Sequence, residues 1–125
     1  MNKNHPSERR HYIRIEKHFF ISYCNQGDPE EKHSISQLKN ISLGGMCFIA
    51  SEALQPSARL IVDLKTPYLA GTVQVEGIVV QSDEKIPNMI YETHFAFDKI
   101  PQQAEVILNH IIDAFFRLTQ EKDKK

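Results

Sequence analysis

Surplus positive charge is the first thing this chain lacks: 15 Lys and Arg stand against 16 Asp and Glu, for a formal net charge of -1. A general nucleic-acid binder draws its affinity from an excess of Lys and Arg facing phosphate, so that class is disfavoured. An RNA-binding small barrel is disfavoured as well, because no aromatic platform is evident. A small anionic ligand stays open, since it needs only a local cluster of positive charge. Cysteine is scarce too. Cys24 and Cys47 lie far apart, form no Cys-x-x-Cys pair and are too few for a disulfide scaffold. Both fall in apolar, strand-like runs, where a free cysteine behaves as a small buried hydrophobe, and a reducing compartment is expected. No run approaches the roughly 18 apolar residues of a membrane span. The longest, Met46 to Ala50, is strand-sized. Met1 to Arg14 holds no apolar h-region, so no signal peptide is expected, and the protein should be soluble and cytoplasmic without membrane insertion.

Catalytic and metal patterns are also missing. The six histidines, at positions 5, 11, 18, 33, 94 and 110, form no His-x-x-x-His pair and no Cys-His cluster with ligand spacing. No metal site and no cofactor are expected. The chain contains no Gly-x-Ser-x-Gly, no P-loop and no Gly-x-Gly-x-x-Gly, and an enzyme is not expected either.

The 125 residues suffice for one domain with a real core. Met1 to Lys17 is polar and charged and reads as a flexible arm. His18 to Cys24 is aromatic and β-branched, as a strand should be, and stops at the turn signal Asn25-Gln26-Gly27-Asp28-Pro29. Lys32 to Lys39 returns as a second strand and Met46 to Ser51 as a third. Leu60, Val62 and Leu64 alternate with charged neighbours in a fourth. Thr72 to Gln81 and Met89 to Phe97 complete six. After Pro101 the apolar residues Ala104, Ile107, Leu108, Ile111, Ile112, Phe115 and Leu118 recur at helical spacing. The expected architecture is mainly β. A six-stranded antiparallel β-barrel over residues 18–100 follows the arm of residues 1–17, a C-terminal α-helix spans 101–120, and a frayed tail covers 121–125. The wide apolar arc of the helix suits core cover, and also a homodimer or partner contact.

Two short patterns carry chemistry. Arg9, Arg10 and Arg14 place three of the five arginines within six residues. Arginine offers a rigid fork that matches phosphate bidentately and reads the O6 and N7 acceptors of guanine, and its flat face stacks on bases. Read alone, such an arm is more often a solvated basic tail. Asn40-Ile41-Ser42-Leu43-Gly44-Gly45 sets two short hydrogen-bonding side chains two positions apart, where both can reach one face of extended chain. Its glycines permit a turn with positive φ and close approach of a flat ligand. Read alone, this is more often a polar turn between two strands.

Together the two patterns resemble the PilZ domain family, whose signature is Arg-x-x-x-Arg followed by (Asp/Asn)-x-Ser-x-x-Gly. Arg10 and Arg14 match the first half; Asn40, Ser42 and Gly45 match the second. The strand order, Gly77, the late aromatic strand and the terminal helix extend the resemblance over residues 8–118. The resemblance implies a barrel that binds the second messenger cyclic di-GMP on its outer face and does no chemistry on it. Arg10 and Arg14 would grip phosphate and guanine, Asn40 and Ser42 would hold a guanine edge, and Gly45 would leave room for the ligand. Arg9 lies where the family sets whether one ligand or a stacked pair is held. Ligand binding would order the arm and pass the signal to a protein effector of motility, pilus or exopolysaccharide machinery. The alternative is an interaction adaptor on the same fold that binds no nucleotide.

Overall fold

A computed structural model describes residues 12–67 and 71–123. It contains eight strands and one helix: β1 (Ile13–Arg14), β2 (Phe20–Asn25), β3 (Asp28–Ile35), β4 (Gln37–Ile41), β5 (Gly45–Ala50), β6 (Arg59–Lys65), β7 (Val73–Ile86), β8 (Ile90–Lys99) and α1 (Gln102–Asp123). All pairings are antiparallel, in the order β1-β4-β5-β8-β7-β6-β2-β3.

This is an eight-stranded open sheet, and the expected closed six-stranded barrel is corrected accordingly. Two differences make up the count. The second expected strand breaks at Ser36 into β3 and β4, and the root of the expected arm contributes β1. The sheet nonetheless rolls on itself. β3 ends one edge, β4 lies one strand in from the other, and Ser36 alone joins them. The amide of Ile15 donates to the Ser36 carbonyl at 3.0 Å and stitches the seam. Across the interior, the rings of Tyr23 on β2 and Phe48 on β5 lie 5.5 Å apart, although these strands are not neighbours.

Alternation explains the roll. Leu60, Val62 and Leu64 on β6 point inward with Ile21 and Tyr23 on β2, Leu38 on β4, Phe48 on β5, Val75 and Val79 on β7, and Phe95 on β8. Three register shifts between β7 and β8 bend the fourteen residues of β7, since each bulge adds local twist. The helix starts where Ala104 and Glu105 donate to the Pro101 carbonyl, at 2.9 and 3.1 Å. It buries Ala104, Ile107, Leu108, Ile111 and Phe115 against the sheet, a stripe of helical period. It runs on to Asp123, past the expected end at residue 120 and into the expected tail.

Part of the segment expected as an arm is ordered in the sheet. Ile13 and Ile15 belong to the core, at 5% and 0% exposure, so Tyr12 to Lys17 are part of the fold. Residues 1–11, with Arg9 and Arg10, lie outside the described residues.

Candidate functional site

The β1–β4 and β4–β5 ladders place the two halves of the motif on one surface. Arg14 pairs with Gln37, and its side chain is 78% exposed and lies 3.7 Å from Glu16. Asn40 follows three residues along β4, about 10 Å at strand rise. A bulge decides where Asn40 points. Leu38 opposes Phe48 and Asn40 opposes Cys47, so two residues of β4 advance against one of β5, and Lys39 is the extra one. Without that insertion, strict alternation would set Leu38 and Asn40 on the same inner face. With it, Leu38 and Ile41 are buried and Asn40 is exposed.

Ser42 to Gly45 close the hairpin. The Ser42 amide donates to the Gly45 carbonyl at 2.8 Å, and the Gly44 amide donates to the Ser42 hydroxyl oxygen at 3.1 Å. That use as acceptor leaves the hydroxyl proton free to donate outward. The turn needs no left-handed glycine: positive φ occurs only at Ser57 and Asn88 among the described residues, and at no glycine. Gly45 lies hard against a neighbouring strand. A Cβ there would come within 2.1 Å of the Phe95 carbonyl oxygen on β8. Its missing side chain makes space for a neighbouring strand, a requirement separate from the room for a ligand that the resemblance implies.

Beside the motif lies a polar cluster that the sequence pattern did not disclose. Asn40, Cys47, His94 and Gln81 form one row across β4, β5, β8 and β7. Next to that row, Glu92 on β8 is buried, with a side chain only 6% exposed. The Tyr12 hydroxyl donates to Oε1 of Glu92, and the Cys47 thiol donates to Oε2 at 3.5 Å. The ammonium groups of Lys39 and Lys85 lie 3.4 and 3.8 Å from the same carboxylate. Burial pushes the Glu92 pKa up, but the bonds from Tyr12 and Cys47 and the two lysines outweigh it and hold the group at about 2. Burial, with the neighbouring Glu92 charge, raises the Cys47 thiol to about 12, so it is no nucleophile at neutral pH. Burial and the bond to Glu92 likewise raise the pKa of the Tyr12 phenol.

Tyr12 stands between Arg10 and Arg14 in sequence, and its bond to Glu92 pins the first of the described residues to β8. Tyr12→Phe should cost about 1.5 kcal/mol of folding stability, the lower end for a hydrogen bond to a charged group, because the site is only partly buried. Urea unfolding of the two proteins measures the difference, and an unchanged midpoint would show that the bond contributes nothing. The sequence held one faint sign of the cluster. Cys47 and His94 each stand between two buried residues, Met46/Phe48 and Thr93/Phe95. Only the β5–β8 register reveals that they meet.

Among the described residues no helix is long and apolar enough to cross a membrane. A groove of about 590 Å³ beside α1, lined by Phe19, Thr66, Ile107 and Ile111 among others, contains no motif residue among the described residues. Both cysteines are free and buried.

Comparison with solved structures shows a likeness of fold. The PilZ domain with c-di-GMP of YcgR from Escherichia coli is 20% identical, with 91% of this chain and 95% of that one covered and a TM-score of 0.58. The K. pneumonia MrkH-c-di-GMP complex is 16% identical, covering 100% of this chain and 55% of MrkH, with a TM-score of 0.59. The Bacillus subtilis inhibitor of motility, MotI/DgrA, is 14% identical over 94% of this chain and 53% of that one, with a TM-score of 0.53. This chain thus spans about half the length of the Bacillus and K. pneumonia proteins. No match was found among curated proteins. The family model for the PilZ domain matches residues 8–114, a span that takes in Arg9, Arg10, Arg14, the hairpin motif and most of the helix. The chain belongs to the PilZ domain family.

Proposed function

We propose that this protein is a cyclic di-GMP receptor that binds its ligand on the outer face of β1, β4 and the β4–β5 turn and returns it unchanged. The observation that carries the reading is the convergence of Arg14 with Asn40 and Ser42. Three exposed side chains from both halves of the motif meet on one surface through β1–β4 pairing and the bulge at Lys39. Their chemistry suits the ligand. Arg14, with Arg9 and Arg10 from the preceding segment, supplies guanidinium forks for phosphate and for the guanine O6/N7 edge. The Asn40 amide both donates and accepts, and the Ser42 hydroxyl donates. Asn40 brings no charge to the guanine edge, where the family more often has Asp. The related PilZ structures of YcgR and MrkH with c-di-GMP are consistent with a nucleotide site on this fold.

Residues 1–11 then close over the bound nucleotide, with Tyr12 and Ile13 as the fixed root. The reshaped face engages a protein effector in the cytoplasm, of motility, pilus or exopolysaccharide machinery. Calorimetric titration with cyclic di-GMP, with GTP and cyclic di-AMP as controls, tests the central claim. Selective binding at micromolar Kd or tighter, with the nucleotide recovered intact, is expected. Absence of binding would leave an interaction adaptor on the same fold, and turnover of the nucleotide would overturn the receptor reading.

A further inference from the structure

The row beside the motif brings together three groups that no spacing in the sequence suggested as partners. Sγ of Cys47 lies 3.5 Å from Oε2 of Glu92 and 3.9 Å from Nε2 of His94, and Nε2 lies 3.2 Å from Oε2. These are one soft, one borderline and one hard donor, converging from β5 and β8. We propose that Cys47, Glu92 and His94 form a binding site for a divalent metal ion of borderline softness, zinc in the first instance.

Geometry is the main support. Zinc bonds of about 2.3 Å to sulfur, 2.0–2.1 Å to nitrogen and 2.0–2.2 Å to oxygen, at tetrahedral angles, place donor atoms roughly 3.4–3.6 Å apart. The three separations in the structure bracket that range, so small side-chain adjustments seat the ion. The fourth corner falls to water or to Asp83, whose Oδ2 lies 3.8 Å from Nε2 of His94. An outer shell is already in place. The Tyr12 hydroxyl holds Oε1 of Glu92, which orients Oε2 towards the sulfur and the imidazole, as outer partners do for carboxylate ligands. Glu92 and Cys47 are buried and His94 is half-exposed, which leaves one open side for entry.

The charge balance follows from the neighbours. Without metal, Glu92 is neutralised by Lys39 on β4 and Lys85 on β7, and accepts bonds from Tyr12 and Cys47. An entering dication takes over that role. The Cys47 proton passes to solvent as the sulfur–metal bond forms, and the imidazole binds through its Nε2 lone pair with its proton on Nδ1. Lys39 and Lys85, both partly exposed, swing into water. A metal here would tie β5 to β8 and, through Glu92, fix the root of the N-terminal segment. The proposal does not depend on nucleotide binding.

Titration of the metal-free full chain with cobalt(II) is the test, since a thiolate–cobalt charge-transfer band and the intense visible bands of tetrahedral cobalt report the ligands directly. Cys24→Ser should keep the charge-transfer band and Cys47→Ser should lose it. His94→Gln, at a half-exposed position that tolerates change, should lower zinc affinity beyond the roughly 10- to 100-fold expected for loss of an outer partner. Lys39→Met, which removes an ammonium 3.4 Å from the ligand oxygen, should raise zinc affinity severalfold. Absence of the band in the wild type, or its survival in Cys47→Ser, would overturn the proposal. So would zinc affinity unchanged by His94→Gln, as when His5 or His11 holds the ion instead.

Discussion

Arg14→Ala is expected to weaken cyclic di-GMP binding by roughly 30- to 1000-fold, about 2–4 kcal/mol, and to leave the unfolding temperature where it was. The two halves of that expectation have separate grounds. Stability should be indifferent, because the side chain is 78% exposed and its only ionic contact among the described residues, 3.7 Å from Glu16, is a surface pair of the kind worth about 0–1 kcal/mol. The backbone pairing with Gln37 needs no particular side chain. Binding should suffer because a guanidinium facing phosphate or the guanine O6/N7 edge makes paired, charge-assisted hydrogen bonds, and alanine leaves the ligand groups without them. Arg10→Ala should behave alike. Arg14→Lys sharpens the test. Lysine keeps the charge and loses the fork, so it should recover part of the affinity for phosphate and little of the preference for guanine. Calorimetry on the three variants, alongside thermal melts, measures both quantities. Wild-type affinity in Arg14→Ala would remove this surface from consideration. A fall in affinity that tracks a fall in melting temperature would place Arg14 among structural residues.

How far the sequence discloses this molecule depends on whether a feature is local. β6 is legible because Leu60, Val62 and Leu64 alternate cleanly, and α1 because its apolar stripe keeps helical period. β3 is not, for a physical reason. Seven of its eight residues are exposed or half-exposed and only Ile35 is buried, so an edge strand leaves little pattern, and Pro29 reads as a breaker although edges tolerate proline. β1 is two residues long, and its place is set by Ile13 and Ile15 reaching the core, which is a tertiary fact. The helix continues through a charged end that propensity alone would fray. The two-part family motif is legible as a pattern, because Arg10 and Arg14, and Asn40, Ser42 and Gly45, stand at its spacings. The bulge that turns Asn40 outward is not legible, nor is the meeting of Tyr12, Cys47, Glu92 and His94. Both follow from strand register, and register is decided by the whole sheet.

Gly45→Ala is expected to destabilise the fold by about 2–3 kcal/mol, the upper part of the usual overpacking range, and to lower the unfolding temperature by roughly 8–12 °C. The cause is a collision with backbone. The new Cβ would sit 2.1 Å from the Phe95 carbonyl oxygen and 3.1 Å from the Ala96 Cα, and neither atom can move without parting β5 from β8. Gly44→Ala is the matched control, one residue away in the same turn. Its Cβ would meet only the Ser42 hydroxyl, at an ordinary 3.6 Å, and its φ is not positive. That substitution should be neutral or should stabilise by up to about 1 kcal/mol, because alanine restricts the unfolded chain more than glycine does. The pair separates two reasons for a glycine in this motif. If Gly45 makes room for β8, Gly45→Ala melts early and binds cyclic di-GMP normally at temperatures where it is still folded. If it makes room for the ligand, the melts of the two variants coincide and only Gly45→Ala binds poorly. The 2.1 Å approach to Phe95 favours the first outcome, which would make the last residue of the motif a requirement of the sheet that carries the site.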